Sequence, residues 1–145
     1  MSKHVRDLMT TQPRCVTPDT PVTEVARMMG EEDVGSVPVI DGERLVGVVT
    51  DRDIVLRAVA QGKDPRGMPA REVASVDLVT IREDEGLADA LEAMARHQVR
   101  RLPVIDKQER VIGILAQADV ALEAKDKEAG ELLEEISRAP QGPRV

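Results

Sequence analysis

The stretch VPVIDGERLVGVVTDRDIV, from Val37 to Val55, returns as LPVIDKQERVIGILAQADV from Leu102 to Val120. An internal repeat constrains a fold more than any single motif, because both copies must adopt the same supersecondary unit. Under a shift of 65 positions Pro38 falls on Pro103, VRDLM (5–9) on AREVA (70–74), and VTPDTPVTEVARMM (16–29) on IREDEGLADALEAM (81–94). One residue is added in the second turn, so that Gly47 meets Gly113. The repeats span about 2–62 and 67–125, and QGKDPRGMP (61–69), with its two Gly and two Pro, reads as a linker.

Each copy has one layout. A helical turn (Val5–Met9; Ala70–Ala74) leads to a short strand (near Cys15–Val16; Val79–Ile81). An amphipathic helix follows, with Val22, Val25, Ala26 and Met29 matched by Leu87, Ala90, Leu91 and Met94 at the i, i+3, i+4, i+7 spacing of one buried stripe. Thr20 before Pro21 is a helix-start signal. Two apolar runs around DGER or DKQER predict a hairpin, and a last helix runs from about Asp51 to Ala60 and from Gln117 to Lys125. The order is β-α-β-β-α, twice, an α+β fold. A single copy buries too little apolar surface to be secure alone, so the two are expected to pack around a pseudo-twofold axis with a cleft where they meet. Residues 126–138 carry a further apolar stripe (Ala129, Leu132, Leu133, Ile136) and predict a C-terminal helix, with 139–145 frayed.

Composition excludes several functions. Phe, Tyr and Trp are absent, so a flat ligand must be gripped by aliphatic side chains. The net charge of −7 and the missing aromatics argue against direct nucleic-acid binding. Cys15 is the only cysteine, so no intrachain disulfide forms. The start MSKHVRDLMT lacks an apolar signal region, and no apolar run is long enough to cross a bilayer. The expectation is a cytoplasmic protein with no membrane contact. His4, His97 and Cys15 have no metal-ligand spacing, and Met9, Met28, Met29 and Met94 read as core filler. No nucleophile–base constellation is visible, so no enzyme is expected.

The β-α-β-β-α repeat, the VPVID and LPVID strands and GVVTDRDI resemble the CBS domain, named after cystathionine β-synthase. Two copies look like a complete CBS pair, or Bateman module, over about residues 3–125, with no room left for a fused enzyme. The resemblance implies a regulatory, energy-sensing module. Its ligand would contain adenosine: AMP, ADP, ATP, with or without Mg²⁺, or S-adenosylmethionine. It also implies a homodimer that signals to an unidentified protein target, with no resident cofactor. Apolar residues on the last helix of each copy (Ile54, Val55, Ala58, Val59; Val120, Ala121, Ala124) favour a dimer, and burial within one module is an equally good use for several of them.

The family's ligand motif G-h-h-[TS]-x-x-D matches Gly47-Val48-Val49-Thr50-Asp51-Arg52-Asp53. One carboxylate, Asp53, can accept from both hydroxyls of a ribose. The Thr50 hydroxyl and free backbone N–H groups at the strand-to-helix junction can hold a phosphate, with Arg52 as a nearby cation. The same T-x-x-D is also a helix capping box, which needs no ligand. In the second copy the motif reads Gly113-Ile114-Leu115-Ala116-Gln117-Ala118-Asp119, without hydroxyl or cation. Carried over from the family, one cleft would collect Thr50, Arg52, Asp53, Leu78, Val79, Arg100 and Arg101. A weaker one would collect Arg14, Cys15, Val16, Ser36 and Asp119, beside Ala116 and Ala118. The alternative reading is a structural or interaction protein that acts through CBS-pair dimerisation without a ligand.

Overall fold

The structure, a computed structural model, describes residues 3–123 and Ile136. The C-terminal helix expected over 126–138 and the frayed tail over 139–145 lie outside the described residues, apart from Ile136, which is buried.

The elements follow the expected order, except that the first strand lies at Thr10–Thr11 and not near Cys15–Val16, where Val16 makes only an isolated bridge to Val39. They are α1 (Val5–Leu8), β1 (Thr10–Thr11), α2 (Val22–Glu32), β2 (Ser36–Asp41), β3 (Arg44–Thr50) and α3 (Asp51–Ile54), which continues as a π-helical turn over Val55–Val59. Two 3₁₀ turns, Pro65–Gly67 and Ala70–Glu72, precede β4 (Ile81–Arg82), α4 (Leu87–His97), β5 (Arg101–Ile105), β6 (Val111–Ala116) and α5 (Gln117–Glu123). The mixture of helices and strands is the α+β class.

The chain forms two compact units that divide it differently from the sequence repeats. One unit is Pro13–Leu78; the other holds the described residues up to Gln12 together with those from Val79 onward. The leading segment of each repeat therefore belongs to the unit built around the other repeat's hairpin.

In the Pro13–Leu78 unit, β2 and β3 pair antiparallel, with Val37 opposite Val49 and Ser36 opposite Thr50. A bulge falls at Val39/Ile40, and Gly42 takes φ 67°, the left-handed geometry that the tight turn needs. Val16 joins β2 in parallel through its N–H to Pro38 O (3.0 Å) and its carbonyl from Ile40 N (2.8 Å). On the other side Ser75 and Val48 exchange both backbone hydrogen bonds (2.9 and 3.0 Å). The residues expected to form a linker are part of this unit. Met68 is buried and its carbonyl accepts from Val22 N (2.8 Å), while Ala70 N donates to Thr20 O (2.8 Å). Met68, Ala70, Val73 and Ala74 join Val22, Val25, Val37 and Val49 in one core. The stripe on α2 is narrower than expected: Val22, Val25 and Met29 are buried, but Ala26 is exposed. Thr20 does not cap α2, whose N-cap is Pro21; its hydroxyl accepts from Thr17 N instead (3.0 Å).

The other unit repeats this plan with a fuller sheet, ordered β1-β6-β5-β4. Here β1 pairs with β6 (Thr10 opposite Ile114), and β4 runs parallel to β5. Val5 from α1 is buried with Leu91, Met94, Leu102, Leu115 and Ile136. The longer turn has no glycine. Asp106 organises it instead, its Oδ1 accepting from Gln108 N and Arg110 N (both 2.9 Å).

Candidate functional site

The motif Gly47–Asp53 spans the junction where β3 becomes α3. Strand β3 buries Leu45, Gly47 and Val49 in alternation and turns Val46, Val48 and Thr50 to the other face. Gly47 sits at a close approach. A Cβ there would lie 3.3 Å from both Ala74 Cβ and Ser75 O. At Gly113 the conflict is sharper, 2.6 Å from Met9 Sδ and 3.0 Å from Thr10 O. The motif glycine thus makes space for the leading segment of the other repeat.

At the junction Thr50 and Asp53 form a complete capping box. Asp53 N donates to Thr50 Oγ1 (3.0 Å), and Thr50 N donates to Asp53 Oδ2 (2.9 Å). Asp51 N donates to Gly35 O (3.0 Å) and Arg52 N to Asp51 Oδ1 (2.8 Å). This corrects the expectation that free amides await a phosphate here: the N–H groups of residues 51 to 53 are all bonded within the chain. The protein satisfies these helix-end donors itself because an unpaired donor is costly. The Asp53 carboxylate keeps acceptor capacity, since two oxygens offer about four lone-pair directions. Ser75 was not foreseen among the site residues. Its Oγ lies 3.4 Å from Asp53 Oδ1 and 3.5 Å from Oδ2. A signal existed, because the shift of 65 places Ser75 on Thr10, a hydroxyl in both copies.

The remaining residues of the first expected set divide between the units. Arg52, half-buried, and Leu78 belong with Thr50 and Asp53, whereas Val79 and the exposed Arg100 and Arg101 belong to the other unit. There Gln117 N donates to Arg100 O (2.8 Å), and Arg101 lies opposite Ala116 in the β5–β6 register. Arg52, Arg100 and Arg101 form no ion pair among the described residues.

The second expected set is also divided. Arg14, Cys15, Val16 and Ser36 lie in the Pro13–Leu78 unit and Asp119 in the other. Ser36, assigned to the weaker cleft, sits across the β2–β3 ladder from Thr50. The Arg14 guanidinium is engaged by Glu31 (3.2 Å) and Glu32 (3.3 Å). Val16 is a core residue with both backbone groups bonded. The Cys15 thiol, half-buried, donates to Pro13 O (3.4 Å), and burial pushes its pKa up, away from a reactive thiolate. At the second junction Ala116 offers no cap to α5, and no hydrogen bond to the Asp119 carboxylate is present among the described residues. Among the described residues no group of three or more His, Cys, Asp or Glu side chains is gathered as for a metal, and no helix is long and apolar enough to cross a membrane.

Comparison with known proteins agrees with this architecture. The family model of the CBS domain matches residues 5–59 and 70–126. The CBS domain-containing protein YhcV of Bacillus subtilis is 43% identical over 134 residues, covering 92% of this chain and 94% of the relative. Hypoxic response protein 1 of Mycobacterium tuberculosis is 38% identical over 117 residues, covering 80% of this chain and 81% of the relative. A crystal structure of Hypoxic Response Protein I, with two coordinated zinc ions, superposes with a TM-score of 0.78 at 36% identity over 85% of this chain and all of that one. CBSX2 in complex with AMP gives 0.71 at 28% identity, covering 83% of this chain and 94% of that one. The CBS domain pair of MJ0100, in complex with 5-methylthioadenosine and S-adenosyl-L-methionine, gives 0.75 at 25% identity, covering 85% and 96%. The chain belongs to the CBS domain family and carries two CBS domains in tandem.

Proposed function

We propose that this protein is a non-catalytic regulatory module that binds an adenosine-containing ligand at the Thr50–Asp53 junction. The ligand is AMP, ADP or ATP, with or without Mg²⁺, or S-adenosylmethionine. The observation that carries the reading is the Asp53 carboxylate. It is half-buried and fixed by the Thr50 amide at 2.9 Å, and among the described residues Oδ1 accepts only from Ser75 at 3.4 Å. A carboxylate so fixed suits the two adjacent hydroxyls of a ribose. The AMP and S-adenosylmethionine complexes of related CBS pairs support the ligand class. With the junction amides taken, the phosphates fall to cations. Arg52 is the local one; Arg100 and Arg101 are assigned to the same role on the family resemblance. Ligand occupancy shifts a conformational population that a protein target reads, and the module works as a cytoplasmic homodimer and energy sensor.

Isothermal titration calorimetry of nucleotide-stripped protein with AMP, ADP, ATP and S-adenosylmethionine tests this. Protein concentration is measured by peptide-bond absorbance, since no Trp or Tyr is present. The expected result is saturable binding at one site per chain, lost in Asp53→Ala and kept in Asp119→Ala. No heat from any of the four ligands at several temperatures overturns it. A second reading, an interaction protein without ligand, is favoured by one observation. Val55, Leu56 and Val59 stand exposed on the helix that adjoins the junction.

A further inference from the structure

Ser75 lies 22 residues from Asp53 in the chain and outside the ligand motif, yet its hydroxyl straddles both oxygens of the Asp53 carboxylate at 3.4 and 3.5 Å. Its backbone is fixed. Ser75 and Val48 exchange two hydrogen bonds, and Ala74 packs beneath Gly47. Arg57, from the π-helical turn, donates through Nη1 to Val73 O and Ala74 O (both 3.1 Å), tying the helix to the same segment.

The carboxylate itself is less fixed than its backbone. The last torsion of an Asp side chain is broad and roughly two-fold, so a hydrogen bond to one oxygen leaves the plane of the group loosely set. Thr50 N holds Oδ2, and Ser75 is the group that reaches Oδ1. Recognition of two adjacent hydroxyls needs both oxygens presented together, and a group held in that attitude before binding loses less freedom on binding. The other copy shows what the arrangement lacks without these partners. Thr10 meets β6 in the equivalent register, but among the described residues neither Thr10 nor Ala116 engages Asp119.

Building on the adenosine-ligand reading, we infer that Ser75 is a positioning residue: its hydroxyl sets the plane of the Asp53 carboxylate for a ribose diol. It acts through Asp53 and supplies diol selectivity from the other repeat. The test is calorimetry of the full chain with AMP and with 2′-deoxy-AMP, which lacks one of the two hydroxyls. Ser75→Ala lowers AMP affinity about fivefold, the equivalent of one net hydrogen bond, and leaves 2′-deoxy-AMP nearly unchanged, so the preference for the diol shrinks. Ser75→Thr restores it. Ser75→Thr and Ser75→Val share a shape that suits a strand and differ by the hydroxyl, so this pair gives the same contrast should the alanine variant not fold. Equal losses for both ligands, or an unchanged preference in protein that binds AMP normally, overturn the positioning role alone. Wild-type protein that takes up no AMP overturns it together with the nucleotide reading.

Discussion

The two strand-to-helix junctions are built on one plan and equipped differently. At the first, Thr50, Asp53 and Ser75 converge on a closed set of hydrogen bonds; at the second, Ala116 and Asp119 occupy the same places without them. Both junctions keep the backbone contact that ends the hairpin, Asp51 N to Gly35 O and Gln117 N to Arg100 O. The shared contact is architecture, and the difference is the polar side chains. On the proposed function, capping and ligand binding are compatible roles for Thr50 and Asp53. The cap holds the carboxylate in place, and a carboxylate held in place is the better acceptor.

The sharpest way to break the comparison is to cut the chain along the repeats. A fragment of residues 2–62 lacks Met68, Ala70, Val73 and Ala74, all buried in its core. Fully burying a larger apolar side chain contributes about 1.5–3 kcal/mol, and whole domains are stable by only about 5–15 kcal/mol. The 2–62 fragment is expected to show no cooperative thermal transition by circular dichroism, whereas 13–78 shows one. Equal melting of both fragments would make the exchanged segment dispensable.

Next in size are the two motif glycines. Gly113→Ala places a methyl against Met9 and the Thr10 carbonyl, and Gly47→Ala meets a looser contact. Overpacking costs about 1–3 kcal/mol, so urea denaturation should show a loss in that range for Gly113→Ala and a smaller one for Gly47→Ala. The reverse order would mean that the Met9 side chain moves away more readily than the backbone at Ser75.

A smaller effect exchanges the caps. Thr50→Ala should destabilise by about 1 kcal/mol, while Ala116→Thr, facing Asp119 at the T-x-x-D spacing, should gain up to a similar amount. Failure of the gain would show that the second junction cannot close a box even when given the hydroxyl.

The smallest effect concerns the second hairpin, which replaces the Gly42 turn with Asp106. Hydrogen bonds from the Arg110 and Gln108 amides and from the Arg110 side chain hold the Asp106 carboxyl below its usual range. A lowered folded-state pKa gives a contribution that is present above the ordinary carboxylate range and is lost as pH falls through the lowered value. Asp106→Asn should therefore separate from wild type in denaturation midpoint at pH 7 and converge with it in strong acid. A constant separation at all pH values would remove the charge from the explanation.

The fold was largely legible because its instructions are local. The period of α2 and α4, the Asp41-Gly42 turn and the T-x-x-D cap are each contained in a few consecutive residues. The site differs from the sequence reading at two points, the first for partly local and the second for non-local reasons. The junction amides expected to be free are bonded, one of them to Gly35, 16 positions away in sequence from Asp51. Ser75 escaped notice because its link to Asp53 depends on pairing between Val48 and Ser75, which no periodicity announces.

The sequence by itself determined that two like β-α-β-β-α units form and that the first motif is chemically richer than the second. Only the tertiary structure decided which leading segment completes which unit. VRDLM and AREVA carry nearly the same pattern, so either would satisfy the hydrophobic period of either hairpin. What separates them is packing across the motif glycines, Met9 over Gly113 and Ala74 over Gly47. Close packing of that kind depends on volumes and backbone positions far apart in the chain, and these exist only once the chain has folded.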